Sequence, residues 1–390
     1  MAKVVVIGRN YTSRLGMIRA VGRAGHQVFV ICTNKSKSDG IDKVSRYVSG
    51  YYSAKEPNRD LLLRTLDSIA NSEQEKMVLI PVDDYAASTI DENIDRLKGR
   101  FLFPNINMQQ GAINKLMDKN LQKALARESG LNVAEGWTIE IKDHKYSLPE
   151  NIKYPCFPKP QVSFKGNKRC MRRCNDETEL RMVLDEVARE RECPVLIEQY
   201  IEIDKEYGVL GMCAKGKSIL PGLVDKILIG NGGHKGVTKV GVVTPLENNP
   251  QLKKLIKFFL EKTQFTGLCD IDLYDSNGII YFNELNLRFG AFGYAIFCAG
   301  INLPNSLIST LQGDTIDLEP VNIRSKTTCL SEKVNFEDFI AGYYGWKEYR
   351  RIHEMADFTF LADPTDPKPH RQFMKHAFMS ILKRYIKKFF

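Results

Sequence analysis

Apolar positions along this chain follow two rhythms, and the places where one gives way to the other outline its parts. Residues 3–8, KVVVIG, form a continuous apolar run, the pattern of a strand buried on both faces. RLGMIRAVGRAGHQ follows, with Leu15, Ile18 and Val21 at helical spacing. VFVICT repeats the buried strand, and MVLIPVDDYAAS is another strand that runs into an acidic turn. Strand, loop, helix and strand in this order predict a parallel sheet of Rossmann-like type over residues 1–110. The loop GRNYTSRLG departs from G-x-G-x-x-G, which leaves a dinucleotide reading with weak support.

Residues 114–130, NKLMDKNLQKALARESG, read as one helix closed by Gly130. Strand patterns then recur in GWTIEI, YPCFPKP, PVLIEQYI, EYGVLGMC and KSILPGLV, joined by helices at about 176–192 and 250–263, an α+β lobe. GLCDIDLYDSNGIIYFNELNLRFG predicts a hairpin around DSNG. Asp270 and Asp272 alternate on its first strand, and Glu284, Asn286 and Arg288 on its second, where strict alternation puts Phe282 on the same face. After about 315 the pattern is mixed and ends in ADPTDPKPH before a final helical stretch.

Composition narrows the class. With 43% hydrophobic and 26% charged residues the chain is of ordinary globular type. It has no apolar run of about 18 residues, and the run in MAKVVVIGRN is too short for a signal-peptide core, so a cytoplasmic protein is expected. Nine scattered cysteines with no CxxC argue against a disulfide framework and against a zinc site.

The net charge of +9 points to an anionic partner. It is unevenly spread: the last 21 residues hold six Lys or Arg and no acid. No basic and aromatic groove for nucleic acid is visible, so no nucleic-acid partner is expected. In the tail, Met374, Phe378, Ile381, Leu382, Tyr385 and Phe389 follow helical spacing. Two readings stay open: residues 370–390 lie as a peripheral helix on an anionic inner-membrane surface, or a final helix docks its apolar stripe on the body.

The hairpin carries the first candidate chemistry. Carboxylate and amide oxygens on one face suit Mg²⁺, and Arg288 suits an anion or a transferring phosphoryl group; the alternative is a polar surface ladder. In YPCFPKPQVSFKGNKR, Lys159 ends a strand, and Ser163, Lys165 and Gly166 lie in a loop able to close over phosphates. VLIEQYIEIDKEYGVL brings Glu198, Gln199 and Tyr200 to a turn and returns with Glu206, fit to read an adenine edge and a ribose, or simply a charged hairpin. The glycine-rich stretch 228–243, with His234, Lys235 and Lys239, reads as a flap or a surface loop, with His234 a candidate base.

Lys119, Lys159, the loop at 163–169, Glu198, Glu206, Asp272, Glu284, Asn286 and Arg288, in that order and spacing, resemble the ATP-grasp superfamily over roughly residues 3–315. NELNLRFG is similar to its E-x-N-P-R-x-G signature, with Leu287 where proline is usual. The resemblance implies an α/β and α+β chain: a Rossmann-like pre-ATP-grasp domain (1–110), an ATP-grasp domain (111–315, small lobe about 135–205) and a C-terminal extension (316–390) with a basic amphipathic tail. It implies that Lys119 and Lys159 hold ATP phosphates under the loop of Ser163, Lys165 and Gly166, that Glu198, Gln199 and Ile201 surround adenine, and that Glu206 binds ribose. Asp272, Glu284 and Asn286 are implied ligands of two Mg²⁺ ions, replaceable by Mn²⁺, with Glu284 bridging. Arg288 is implied to face an acyl phosphate, with Lys239 and His234 in the flap nearby; the role of Asp270 is open.

Within the superfamily, SRLGMIRAVGRAGHQVFVI, WKEYRR and DPTDPKP are similar to stretches of carboxylate-amine ligases of the D-aspartate ligase type. That resemblance implies an ADP-forming ligase that joins a small carboxylate to an amine through an acyl phosphate, acting on an amino acid and a cell-wall or capsule precursor, as a homodimer. Carboxylation or carbamoylation on the same fold, and a membrane-associated nucleotide-binding protein without ligase activity, remain the alternatives.

Overall fold

Five short strands, β1 (Lys3–Gly8), β2 (Gln27–Cys32), β3 (Val48–Ser53), β4 (Met77–Pro81) and β5 (Phe101–Leu102), build the first layer. They pair in parallel in the order β3-β2-β1-β4-β5. Helices α1 (Tyr11–Arg23), α2 (Arg59–Ala70), α3 (Asp84–Asp91) and α4 (Ile94–Leu97) are interleaved with them, and Val4 to Ile7 of β1 are buried on both faces. The chain leaves β1 for β2 on one side and returns to β4 on the other, so the carboxyl ends of β1 and β4 flank a crevice. The structure, a computed structural model, describes residues 1–34, 40–71, 73–162, 170–190, 192–214, 216–234, 236–314, 323 and 325–389, and the side chains of 380 and 382–389 are also outside the description.

After β6 (Asn105–Ile106) the expected single helix is two, α5 (Ala112–Leu116) and α6 (Lys119–Glu128). Asp118 breaks it by taking an extended backbone, and its carboxylate caps α6 by accepting from the amides of Asn120 and Leu121. The break sets Lys119 and Lys123 in the first turns of α6. Then follow β7 (Asn132–Val133), β8 (Gly136–Ile139), β9 (Cys156–Pro160), α7 (Glu177–Glu190) and β10 (Val195–Gln199). The last three strands form an antiparallel sheet, β8-β10-β9. Leu180, Val183, Leu184 and Val187 of α7 seal its inner face.

The large sheet comprises β11 (Lys205–Ala214), β12 (Lys217–Ile229), β13 (Thr238–Pro245), then, after α8 (Pro250–Thr263), the hairpin β14 (Phe265–Ser276) and β15 (Ile279–Asn286). Past α9 (Gly293–Cys298) and α10 (Leu303–Gln312) come β16 (Thr327–Leu330), α11 (Glu332–Ala341), α12 (Trp346–Glu354), β17 (Phe358–Thr359) and α13 (Lys368–Phe389). The order is β17-β16-β13-β12-β11-β14-β15-β7, so strands from beyond residue 316 extend the same sheet.

The hairpin corrects one expectation. Asp272 pairs with Glu284, but the next residue, Leu273, pairs with Phe282, so Asn283 is an extra residue on β15. This bulge turns Phe282 away from Glu284 and into the core, 5.0 Å from the ring of Phe259. Polar and apolar residues of β15 thus lie on opposite faces despite their sequence parity.

The tail docks by a line other than the stripe that its spacing marks. Phe373 and Ala377 of α13 dock against Tyr11, Leu15, Ile41 and Leu361, while Met374 and Phe378 of the expected stripe remain exposed. Leu382, Tyr385 and Phe389 lie outside the described side chains.

The segment after β17 is latched to α1. Gly16 lets α1 approach α9 closely, since a Cβ there would stand 2.8 Å from Cβ of Tyr294. Arg19 is fully buried: Nε donates to Asp366 Oδ2 (3.1 Å), Nη1 to the Phe360 carbonyl (2.8 Å) and Nη2 to the carbonyls of Leu361 (2.9 Å) and Asp366 (3.1 Å). Asp366 also accepts from Ser45 Oγ and the Arg46 amide. Nearby, the buried Glu332 accepts from Thr359 Oγ1, the Leu361 amide and the Ala362 amide. Burial pushes its carboxyl up to about 7 against those bonds and Arg19.

Two predictions follow from the latch. Arg19→Ala leaves Asp366 buried without its counter-charge and is expected to lower stability by about 3–5 kcal/mol in denaturant unfolding, whereas Arg23→Ala, at a partly exposed pair with Asp363, costs about 1 kcal/mol or less. Because Glu332 titrates higher in the native than in the unfolded chain, the native state binds the extra proton between about pH 4.5 and 7. Its contribution to stability therefore falls as pH rises through that window and is level above it. The difference between the parent and Glu332→Gln in unfolding midpoint against pH should show that slope; a flat difference contradicts it.

Candidate active site

Three elements bring charge to one place. The start of α6 supplies Lys119 and Lys123, β9 supplies Lys159, and β10 supplies Glu198, all four buried. Lys159 Nζ lies 2.7 Å from Glu198 Oε1, and Lys123 pairs with the same oxygen. Burial favours the neutral form of Glu198, but Lys159 and Lys123 outweigh it and hold the carboxyl below its ordinary range. Burial draws Lys123 down to about 8, with Glu198 opposing. Lys119 Nζ sits 3.2 Å from Glu284 Oε1, and Lys159 Nζ donates to Asn283 Oδ1 at 3.0 Å. The bulge on β15 is what lets Asn283 and Glu284 meet these two lysines.

The hairpin continues the constellation. Asp272 faces Glu284 and Asp270 faces Asn286 across the strands. Lys226 of β12 lies 2.6 Å from Asp272 Oδ1 and 3.8 Å from Glu206. Asn286 Nδ2 donates to Asp272 Oδ2 (3.1 Å), and Asn286 Oδ1 accepts from Arg288 Nη2 (2.9 Å). Arg288 Nε donates to Asp84 Oδ1 at 3.1 Å, which ties the hairpin to the crevice at the end of β4. There Asp83 caps α3 through the Ala86 amide and accepts from the Arg9 amide at 2.6 Å. Asp270, partly buried beside Asp272 and Glu284, is pushed up to about 7, mainly by desolvation, with Arg288 and Lys226 opposing. Gly290 leaves room for this carboxylate: a Cβ on it would stand 2.4 Å from Asp270 Oδ2 and make the side chain shift.

Beside this charged end opens a cleft of about 150 Å³. Phe157, Met171, Ile201, Ile203, Tyr274 and Phe282 form apolar walls, and Lys119, Lys159, Glu198, Gln199 and Glu284 its polar end. Apolar walls closed at one end by a few placed polar groups are the build of a small-ligand site.

Of the residues picked out from sequence, the structure gathers Lys119, Lys159, Glu198, Gln199, Ile201 and Glu284 in this cleft, with Glu206, Asp272, Asn286 and Arg288 joined to its end through Lys226 and the hairpin. Lys239 and His234 turn elsewhere: Lys239 is buried against Asp338 (2.7 Å) and His234 lies 3.0 Å from Glu337, both on α11. Ser163, Lys165, Gly166 and Lys235 lie outside the described residues. Sequence reasoning missed Lys123, Lys226, Asp84 and Asn283. Lys123 was open to inference, one helical turn after Lys119; Lys226 depends on register between strands, and Asp84 on a contact 204 residues from Arg288.

No family model matches the chain. By sequence it is similar to the carbamoyl phosphate synthase large chain of Gemmatimonas aurantiaca, 25% identical over 210 residues, 53% of this chain and 19% of that one. It is also similar to the C-terminal section of the large chain from Aquifex aeolicus, 27% identical over 182 residues, 45% of this chain and 33% of that one. The match thus spans a third or less of either relative. By structure it is similar to N5-carboxyaminoimidazole synthetase from Staphylococcus aureus complexed with ADP (TM-score 0.64, 16% identity, 90% of this chain and 86% of that one). An L-amino acid ligase from Bacillus licheniformis also superposes (TM-score 0.60, 14% identity, 84% and 79%). So does a biotin carboxylase complex with β-γ-ATP from Campylobacter jejuni (0.63, 16%, 84% and 74%). At these identities the structural likeness is one of fold.

The triad of Lys123, Glu198 and Lys159 makes a direct prediction. Glu198→Gln leaves two ammonium groups buried without their shared carboxylate, and a loss of about 3–5 kcal/mol is expected in nucleotide-free thermal or denaturant unfolding. An unchanged midpoint contradicts the pairing.

Proposed function

The chain has the ATP-grasp fold, and we propose that it uses that fold as an ADP-forming ligase, activating a small carboxylate with ATP and passing the acyl group to an amine. One observation carries this reading: two lysines from separate elements, Lys119 and Lys159, meet the hairpin residues Glu284 and Asn283 at the closed end of an apolar cleft. A cluster of cations and carboxylates on rigid strands suits a triphosphate with its adenine end in the slot.

In the first step a carboxylate oxygen of the acid attacks the γ-phosphorus. A P–O bond forms, the bond from the γ-phosphorus to the bridging oxygen breaks, and ADP leaves. In the second the amine nitrogen attacks the acyl carbon, a C–N bond forms, the C–O bond to phosphate breaks, and the amine loses a proton. The chain's own part is to hold and to balance charge. Lys119 and Lys159 hold phosphate oxygens, Gln199 and Ile201 border the base, Glu206 lies in reach of the ribose, and Arg288, aligned by Asp84, faces the acyl phosphate.

Asp272, Glu284 and Asn286 fit Mg²⁺ by donor chemistry: on paired strands they offer two carboxylates and one amide oxygen, which Lys226, Lys119 and Arg288 answer in the structure. Among the described residues no three acidic, histidine or cysteine side chains stand close enough to hold an ion by themselves, and an ion held by these residues would need phosphate oxygens and water to complete its shell. Bound there, the ions neutralise charge on the phosphates in transfer. The substrates proposed are an amino acid and a cell-wall or capsule precursor, the assembly a homodimer, and the compartment the cytoplasm.

A second reading, carboxylation or carbamoylation on the same site, is favoured by the sequence likeness to carbamoyl phosphate synthase large chains. Hydroxylamine separates the two by standing in for the amine. With ATP, Mg²⁺ and a panel of amino acids, dipeptides and sugar acids, one acid is expected to yield a hydroxamate, and Glu284→Gln to lower the rate by about 100-fold or more. ADP release with bicarbonate alone, and no hydroxamate from any acid, would transfer the assignment to the second reading.

A further inference from the structure

We propose that the exposed face of α13 seats the protein on an anionic bilayer surface. The inference is independent of the ligase chemistry. It starts from the way α13 is docked. Phe373 and Ala377, one turn apart, are buried in the cluster with Tyr11, Leu15 and Ile41. The neighbouring stripe points outward: Met374 is 51% exposed, Phe378 65% and Met379 49%. Three large apolar side chains on one short stretch of surface are a patch with a purpose rather than scattered exposure.

The sequence of α13 sharpens the asymmetry. Continued at helical spacing, the docked line of Phe373 and Ala377 runs into Arg384 and Lys388, whereas the exposed line of Met374 and Phe378 runs into Ile381, Leu382, Tyr385 and Phe389. The apolar line that persists in the sequence is therefore the one that starts from the exposed Met374 and Phe378. The exposed Arg371 and Lys375 lie beside it, the sequence beyond adds Lys383, Arg384, Lys387 and Lys388, and the last 21 residues contain no acid. An apolar stripe set between rows of cations matches a surface with an apolar interior and an anionic plane of headgroups. Among the described residues no helix is long and apolar enough to cross a membrane, so the complementary geometry is a helix lying along the interface.

A second feature enlarges the apolar surface at the same place. Between α11, α13 and the start of α1 runs a groove whose walls include Phe336, Phe373, Ala377 and Met379, with Lys333, Glu337 and His376 on its border. Met379 belongs both to this groove and to the exposed stripe, so groove and stripe form one continuous face.

The test is co-sedimentation of the full chain with vesicles of phosphatidylcholine alone and of phosphatidylcholine with about 30% phosphatidylglycerol, against the double variant Met374→Glu, Phe378→Glu. Both substituted residues are exposed, so the unfolding midpoint should be unchanged. Binding to the anionic vesicles is expected to exceed binding to the neutral ones by roughly tenfold at low salt and to weaken as salt rises. The double variant should lose roughly tenfold in bound fraction. Equal binding to both vesicles, or a variant that binds as well as the parent, overturns the proposal. So does light scattering that shows the parent as a dimer and the variant as a monomer with no vesicle binding by either, because the stripe then seats a second copy.

Discussion

A charge taken out of water has to be answered within hydrogen-bond reach, and each junction of this chain is built where that demand is met. Arg14, fully buried in α1, is held by Asp42 and by the carbonyls of Gly8 and Arg9, which fixes the loop at the end of β1. Arg19, five residues on, gathers the segment after β17 onto the same helix. Lys239 of β13 is answered by Asp338 of α11, and Arg288 after β15 by Asp84 at the start of α3. The five-stranded sheet, the large sheet and the C-terminal elements are therefore joined by paired charges, buried at Arg14, Arg19 and Lys239 and partly buried at Arg288.

The hairpin shows how one strand serves a core and a site together. An ideal two-residue period would force Phe282 and Glu284 to one face, and either a ring would stand in the polar end or a carboxylate in the core. The extra residue at Asn283 resets the period. Phe282, Leu285 and Leu287 then pack with Phe259 and Ile271, while Glu284 and Asn286 face Asp272 and Asp270. Leu287, which departs from the usual proline of the resembled signature, is buried in that core, so the departure is absorbed on the apolar side of the strand.

Much of this was legible in the sequence because it is local. The strands KVVVIG and VFVICT, the helix α8 and the hairpin around DSNG each declare themselves by period and turn residues within about a dozen positions. Lys159, Glu198, Asp272, Glu284, Asn286 and Arg288 were found through the order in which residue types recur. What escaped depends on relations no short window contains. The bulge at Asn283 is a matter of pairing with β14, Lys226 reaches Asp272 only through the register of β11 and β12, and Asp84 meets Arg288 across two domains. The break at Asp118 had a local sign, an aspartate suited to capping, but the helical period of the residues around it concealed the stop. His234 and Lys239 misled for the opposite reason: a glycine-rich stretch with cations looks like a flap, and the carboxylates that pair with them come from α11, about a hundred positions later.

Charge balance also bears on how the site works. In the structure the cleft pairs its charges, four ammonium groups with three carboxylates: Lys119 answers Glu284, Lys123 and Lys159 share Glu198, and Lys226 answers Asp272. A polyanion that enters such a site competes for Lys119 and Lys159, and each lysine that turns to a phosphate leaves a carboxylate needing a new partner. Under the proposed function the carboxylates released are Glu284, together with Asp272 where Lys226 also turns, and these are the residues with the donor chemistry for a divalent cation. Nucleotide and cation are then linked by electrostatics, since neither is compatible with the resting pairs unless the other arrives. Glu198 stands outside this exchange. Lys123 stays with it when Lys159 turns, so the wall of the slot keeps its charge pair while the phosphate end changes partners.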